Sequence, residues 1–129
     1  MILGFKKQFE PKILSGQKKH TIRLDPHNRW KRGNSIQMAT GVRTKNYNCF
    51  KETECTSVQR VYMSYAYNNI IEISVNGRQL HKFSDKMELA LNDGFDTWDE
   101  FFDWFHPLIE KTEDNWLEAN LIHWTDLRY

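Results

Sequence analysis

The chain has 129 residues, of which 40% are hydrophobic and 14% aromatic, and carries a net charge of +1. That is enough for one core and short for two, so residues 1–129 are expected to form a single domain. No run reaches the roughly 20 apolar residues of a membrane span, and the opening residues lack the apolar stretch of a secretory signal, so the expected compartment is the cytoplasm, with no membrane partner.

The small net charge hides an uneven distribution. Residues 1–82 carry 15 Lys/Arg against 5 Asp/Glu, and residues 83–129 carry 3 against 12. A basic portion of this size can hold phosphates, while the acidic portion can cover another side or pair with it. Cys49 and Cys55 match no metal-site spacing and give no disulfide framework, so both are expected as reduced, buried thiols. The histidines at 20, 27, 81, 106 and 123 lack paired ligand spacing, and neither a metal nor another cofactor is expected.

In chain order, Leu3 to Phe9 alternates apolar and polar residues and reads as a first strand or extended entry segment. Pro11 suits the first turn of a helix and Gly16 the left-handed residue after its end, so a short helix is expected to end at Ser15. The next segment, from Lys18 to Arg23, is a strand loaded with cations. Its period of two puts Lys19, Thr21 and Arg23 on one side and His20 with Ile22 on the other. With Ile22 in the core, Thr21 and Arg23 face a cleft or solvent, and Lys18 sits at the turn where its long stem can swing to either face.

A turn-rich loop from Asp25 to Asn34 follows, then a strand from Ser35 to Thr40 and a polar loop from Gly41 to Asn48. Cys49 to Tyr65 favours extended structure through its Thr, Val and Tyr content. Asn69 to Val75 is expected to form a hairpin with Arg78 to Phe83 through Asn76-Gly77, because both turn residues tolerate positive φ. Ser84-Asp85 then opens a helix, with Glu88 placed to bond back to Asp85, and the segment Asn92 to Gly94 closes it. Thr97 to Glu100 repeats the capping pattern before an aromatic helix expected to end at His106-Pro107. Leu117 to Trp124 is a closing strand. These elements predict an α+β fold, a small, partly open and mostly antiparallel β-barrel with short peripheral helices.

Several of these segments resemble one known family. A short helix ending I-L-S-G, then K-K-H-T-I-R, a loop with Arg29 and Arg32, and G-N-S-I are similar to the start of an ASCH domain, a branch of the PUA-like superfamily. The later N-D-G-F before T-W-D-E-F resembles that family's E-G-F segment ahead of its last helix. The resemblance implies a pseudo-barrel whose cationic strand lines a cleft for RNA, nucleotides or modified nucleosides. Some small members hydrolyse the acetyl amide of N4-acetylcytidine with a Lys, a Thr and a Glu. Those positions correspond to Lys18, Thr21 and Asp93, the last being one methylene shorter than the family's Glu.

Three functions follow as expectations. In an RNA- or nucleoside-binding protein, Lys19, Arg23, Arg29 and Trp30 contact the ligand through charge and stacking. In an amidohydrolase, Thr21 supplies the attacking oxygen, Asp93 the base, and Lys18 activates the nucleophile or stabilises the oxyanion. In a ribonuclease, Lys18 and His20 transfer protons.

Overall fold

The computed structural model describes residues 1–65 and 70–129. Among the described residues eight strands form two sheets, with three α-helices beside them. In the smaller sheet, β1 (Ile2–Gly4) runs parallel to β3 (Ser35–Thr40), which pairs antiparallel with β4 (Asn48–Glu54). The remaining strands are β2 (His20–Arg23), β5 (Ser57–Tyr65), β6 (Ile71–Val75), β7 (Arg78–Gln79) and β8 (Trp116–His123). They make an antiparallel sheet in the order β2-β8-β5-β6-β7.

The α+β, mostly antiparallel expectation holds, but no closed barrel forms: among the described residues no ladder joins the two sheets. The chain passes from β4 to β5 through Cys55 and Thr56, and Thr56 N–H donates to His123 O. Beyond β2 the backbone leaves the sheet because the Asp25 carboxylate accepts from the Arg29 and Trp30 N–H groups and from Asn120 Nδ2. That loop is built by side-chain capping of backbone donors instead of by a continued ladder.

Alternation places Gln59, Val61 and Met63 of β5 and Ile71, Ile73 and Val75 of β6 inward. β8 lies between β2 and β5, and from Ala119 to His123 it is buried on both faces, which brings the polar Asn120 and His123 into the interior. Asn69, expected to open the strand before the hairpin, lies outside the described residues. The hairpin turn itself has Asn76 at φ 51° and Gly77 at φ 82°, the positive pair that its twist requires. Its return strand is only two residues long, and Leu80 then packs into the core.

The first helix, α1 (Glu10–Leu14), follows a 3-10 turn at Lys7–Phe9 and ends at Ser15 before Gly16 at φ 87°. The second, α2 (Phe83–Asn92), begins ahead of the expected capping box and has no side-chain cap at Lys82. The third, α3 (Trp98–Glu110), is capped by Thr97, whose hydroxyl accepts from Glu100 N–H at 3.2 Å. It continues through Pro107, contrary to the expected stop. The proline forfeits one helical hydrogen bond, but Phe101, Phe105 and Ile109 form one buried stripe whose last member requires the extra turn. Cys55 is buried as expected, while Cys49 is exposed because β4 is an edge strand with one face in solvent. Among the described residues, no helix is long and apolar enough to cross a membrane.

Candidate functional site

The start of β2 is tied to two helix ends. Lys18 N–H donates to Lys12 O at 2.9 Å, and Lys19 N–H to Asn92 O at 2.7 Å. This docks the cationic strand against the end of α2, where Asp93 stands at the C-cap. Lys18 Nζ donates to the Asp93 carbonyl and lies 3.4 Å from Asp93 Oδ1. A cation here meets both the carboxylate and the negative end of the helix.

The next residue makes room for that contact. Gly94 has φ 99°, and a Cβ built on it would come within 3.0 Å of Lys18 Cδ and 3.1 Å of Phe9 Cδ1. Both the backbone conformation and the crowding select glycine. On its other side Lys18 Nζ sits 4.9 Å from the centroid of the Phe9 ring, a cation–π contact that partly replaces lost water.

Lys18, Thr21, Arg23 and Asp93 line one cleft of about 510 Å³. Its walls are mostly apolar and include Phe5, Phe9, Phe95, Trp104, Phe105 and Leu108; the exposed Lys6 and Leu24 also border it. Arg23 is already held in place: Nη2 donates to Gly4 O at 2.6 Å, Nε to Thr21 Oγ1 at 3.3 Å, and the guanidinium lies 4.9 Å from the Phe5 ring centroid. Lone-pair density on the Thr21 oxygen is thus engaged by a cation, while its own proton has no acceptor among the described residues.

Other candidates from the sequence lie elsewhere. Lys19 is half-buried and its amine reaches back to Gln17 O at 3.5 Å. Arg29 and Trp30 stand in the Asp25 loop, where their backbone N–H groups are used; Trp30 packs on the edge of the core. None of the three lines the cleft.

Burial pulls the Lys18 amine down from 10.5 to about 8, against the pull of Asp93 and with help from Arg23. Roughly a tenth of it is therefore neutral at pH 7. No hydrogen bond joins Asp93 to Thr21. Instead Asp93 Oδ1 accepts from His20 Nδ1 at 3.0 Å, and His20 Nε2 meets the Tyr129 hydroxyl at 2.6 Å.

His20 is fully buried with both ring nitrogens occupied, so it cannot touch a phosphodiester, and the proton-transfer role expected of it in RNA cleavage is not available. Burial also lowers its pKa. The period of the strand indicated that His20 points inward, but Tyr129 carried no local signal at all: it meets His20 from 109 positions away.

A second cavity of about 410 Å³ lies beside Asp25, Asn28, Arg60 and Glu118. There Arg60 is already bonded to Asn28 and Glu118. No family model, curated protein or solved structure matches the chain.

Proposed function

We propose that the cleft binds a nucleoside and hydrolyses an acyl amide on its base, N4-acetylcytidine being the representative substrate. The observation that carries this reading is the convergence of Lys18, Thr21 and Asp93, the last far from the others in sequence, on one cleft. Its volume falls within the range of small-molecule pockets, and its aromatic walls suit a planar base better than a phosphate chain. The resemblance of Lys18, Thr21 and Asp93 to ASCH-domain positions, and the PUA-like architecture it implies, point the same way.

In this mechanism the neutral Lys18 amine takes the Thr21 hydroxyl proton as Oγ attacks the acetyl carbonyl. The C–N bond breaks, the exocyclic amine of cytidine leaves with the proton returned by Lys18, and an acetyl ester remains on Thr21. Water then cleaves that ester to acetate and regenerates the hydroxyl. Arg23 orients the Thr21 oxygen, and Asp93 holds Lys18 instead of acting on Thr21 itself. The base must be neutral, so kcat/KM for acetate release is expected to rise about tenfold per pH unit below pH 8 and level off above it. A rate that falls across that range would mean that Lys18 works as a cation, and the assigned base would be wrong.

A second reading has its own observation. Arg29, Lys31 and Arg32 are exposed on the loop between β2 and β3, outside the cleft. Three such cations on a single-stranded RNA backbone give a log–log salt slope of about −2. Titration of labelled single-stranded RNA at several ionic strengths checks this; salt-insensitive or undetectable binding excludes it.

A further inference from the structure

The buried groups behind the cleft have a direction. Asn92 Nδ2 donates to the Tyr129 hydroxyl at 3.0 Å. At the other end of the imidazole the Asp93 carboxylate can only accept from Nδ1, so Nε2 accepts from the hydroxyl, 2.6 Å away. A neutral His20 must then carry its proton on Nδ1, which donates to Asp93 Oδ1.

Tyr129 cannot readily shift. Gln59 Oε1 accepts from its N–H at 3.1 Å and Gln59 Nε2 donates to its backbone oxygen at 2.9 Å. The rings of His20 and His123 pack against the Tyr129 ring at centroid distances of 5.4 and 6.0 Å. None of Gln59, Asn92, His20, His123 or Tyr129 lines the cleft, so no ligand contact explains this chain of bonds.

Its inner end is the same oxygen that faces the lysine. Asp93 Oδ1 is 3.0 Å from His20 Nδ1 and 3.4 Å from Lys18 Nζ. The imidazole and the amine share one carboxylate oxygen, and the imidazole holds the shorter contact. We infer that His20 and Tyr129 are positioning residues, which hold the Asp93 carboxylate toward the imidazole and thereby keep Lys18 from forming a full ion pair.

The inference rests on the amidohydrolase reading for its consequence in catalysis, but not for its effect on Lys18. The charged groups facing Lys18 are Asp93, Arg23 and Lys12; those around His20 are Asp93, Lys18 and Lys19, with His123 and Tyr129 in ring contact. Of these only Asp93 opposes the lysine's charge. Releasing it from His20 moves the Lys18 titration upward.

The test is nitrogen NMR titration of the Lys18 amine in the free protein, in wild type, His20→Leu, His20→Asn and Tyr129→Phe, each first checked for a native-like spectrum. His20→Leu removes the donor. His20→Asn places an amide N–H where Nδ1 stood, so it restores the bond if position alone matters. Tyr129→Phe unlocks the tautomer without disturbing the ring packing.

The expected result is a Lys18 midpoint about one pH unit higher in His20→Leu and Tyr129→Phe, with His20→Asn close to wild type. For acetate release at pH 7 the first two lose about tenfold in kcat with KM unchanged, and recover at high pH. Unchanged Lys18 midpoints in both His20→Leu and Tyr129→Phe overturn the inference, as does an equal shift in His20→Asn and His20→Leu. If the midpoints move as expected but no variant and no wild type releases acetate, the positioning stands and the amidohydrolase reading is what fails.

Discussion

Lowering the pH from 7.5 to 5 is expected to remove at least about 2 kcal/mol of folding stability, well before ordinary carboxylates titrate. The cause is a pair of buried neutral histidines in ring contact at 5.2 Å, His20 and His123. Burial, with the neighbouring His20 and Arg128, holds His123 down at about 3. Its Nε2 bonds to Gln59 Oε1 at 2.9 Å, and since that oxygen also accepts from Tyr129 N–H, His123 is the donor. Nδ1 is then a bare lone pair with no partner among the described residues.

Both folded pKa values lie below the unfolded value of 6.5, so the unfolded chain binds the extra protons. Stability is therefore full above about 6.5, falls as the pH drops through it, and for His123 continues to fall to about 3. One such group accounts for about 2 kcal/mol at pH 5, and His20 adds loss of the same sign. Urea unfolding at pH 7.5, 6 and 5 measures this. His123→Met should remove its share of the slope, since Gln59 keeps its bonds to Tyr129. Equal stability at pH 7.5 and 5 would show that these histidines are charged or solvated in the folded protein.

The second large effect is that of Lys18→Met. At pH 7 the substitution is expected to cost about 3 kcal/mol of stability, although it replaces a polar group with an apolar one of similar length. The Asp93 side chain is almost wholly buried, and losing Lys18 leaves its carboxylate with His20 alone. Removing one member of a buried pair costs more than removing both. The double variant Lys18→Met/Asp93→Asn should therefore be more stable than Lys18→Met alone by about 1–2 kcal/mol, because the substituted amide oxygen still accepts from His20 and carries no charge. If the two substitutions simply add, the pair is not coupled.

Wild-type stability also has an alkaline signature. The folded Lys18 pKa of about 8 lies below the ordinary 10.5, so between these values the unfolded chain holds the extra proton and stability contributed by this site rises with pH. In catalysis, Lys18→Met should lower kcat/KM by about a thousandfold, the usual contribution of a positioned base.

The local parts of this protein were legible in the sequence. Pro11 and Gly16 bounded α1, Thr97 capped α3 and Asn76-Gly77 made the turn; the period of β2 left Thr21 and Arg23 facing a cleft or solvent, and both line the cleft together with Ile22 from the other side of the strand. What escaped depends on distant partners. α3 runs past Pro107 because Ile109 has a core to enter, and a local breaking signal contains no information about that core. Arg29 and Trp30 stand in a loop that the Asp25 carboxylate holds through their backbone N–H groups, and neither lines the cleft.

Asp93 is the most instructive case. A carboxylate one methylene short of the family's Glu suggested a displaced base. In the folded protein its Oδ1 is engaged by Lys18 and His20. Neither partner's claim on it could be read from the motif, because His20 and Tyr129 meet only after β2, α2 and the final residues come together.

The most direct measurement is acetate release from N4-acetylcytidine at pH 8 by the wild-type protein, with Thr21→Val and Lys18→Met alongside. The predicted result is turnover above buffer in the wild type and its loss by about a thousandfold in both variants, each shown to be folded. Absence of turnover in the wild type, or turnover that Thr21→Val leaves intact, would contradict the assignment of this cleft as a nucleoside amidohydrolase.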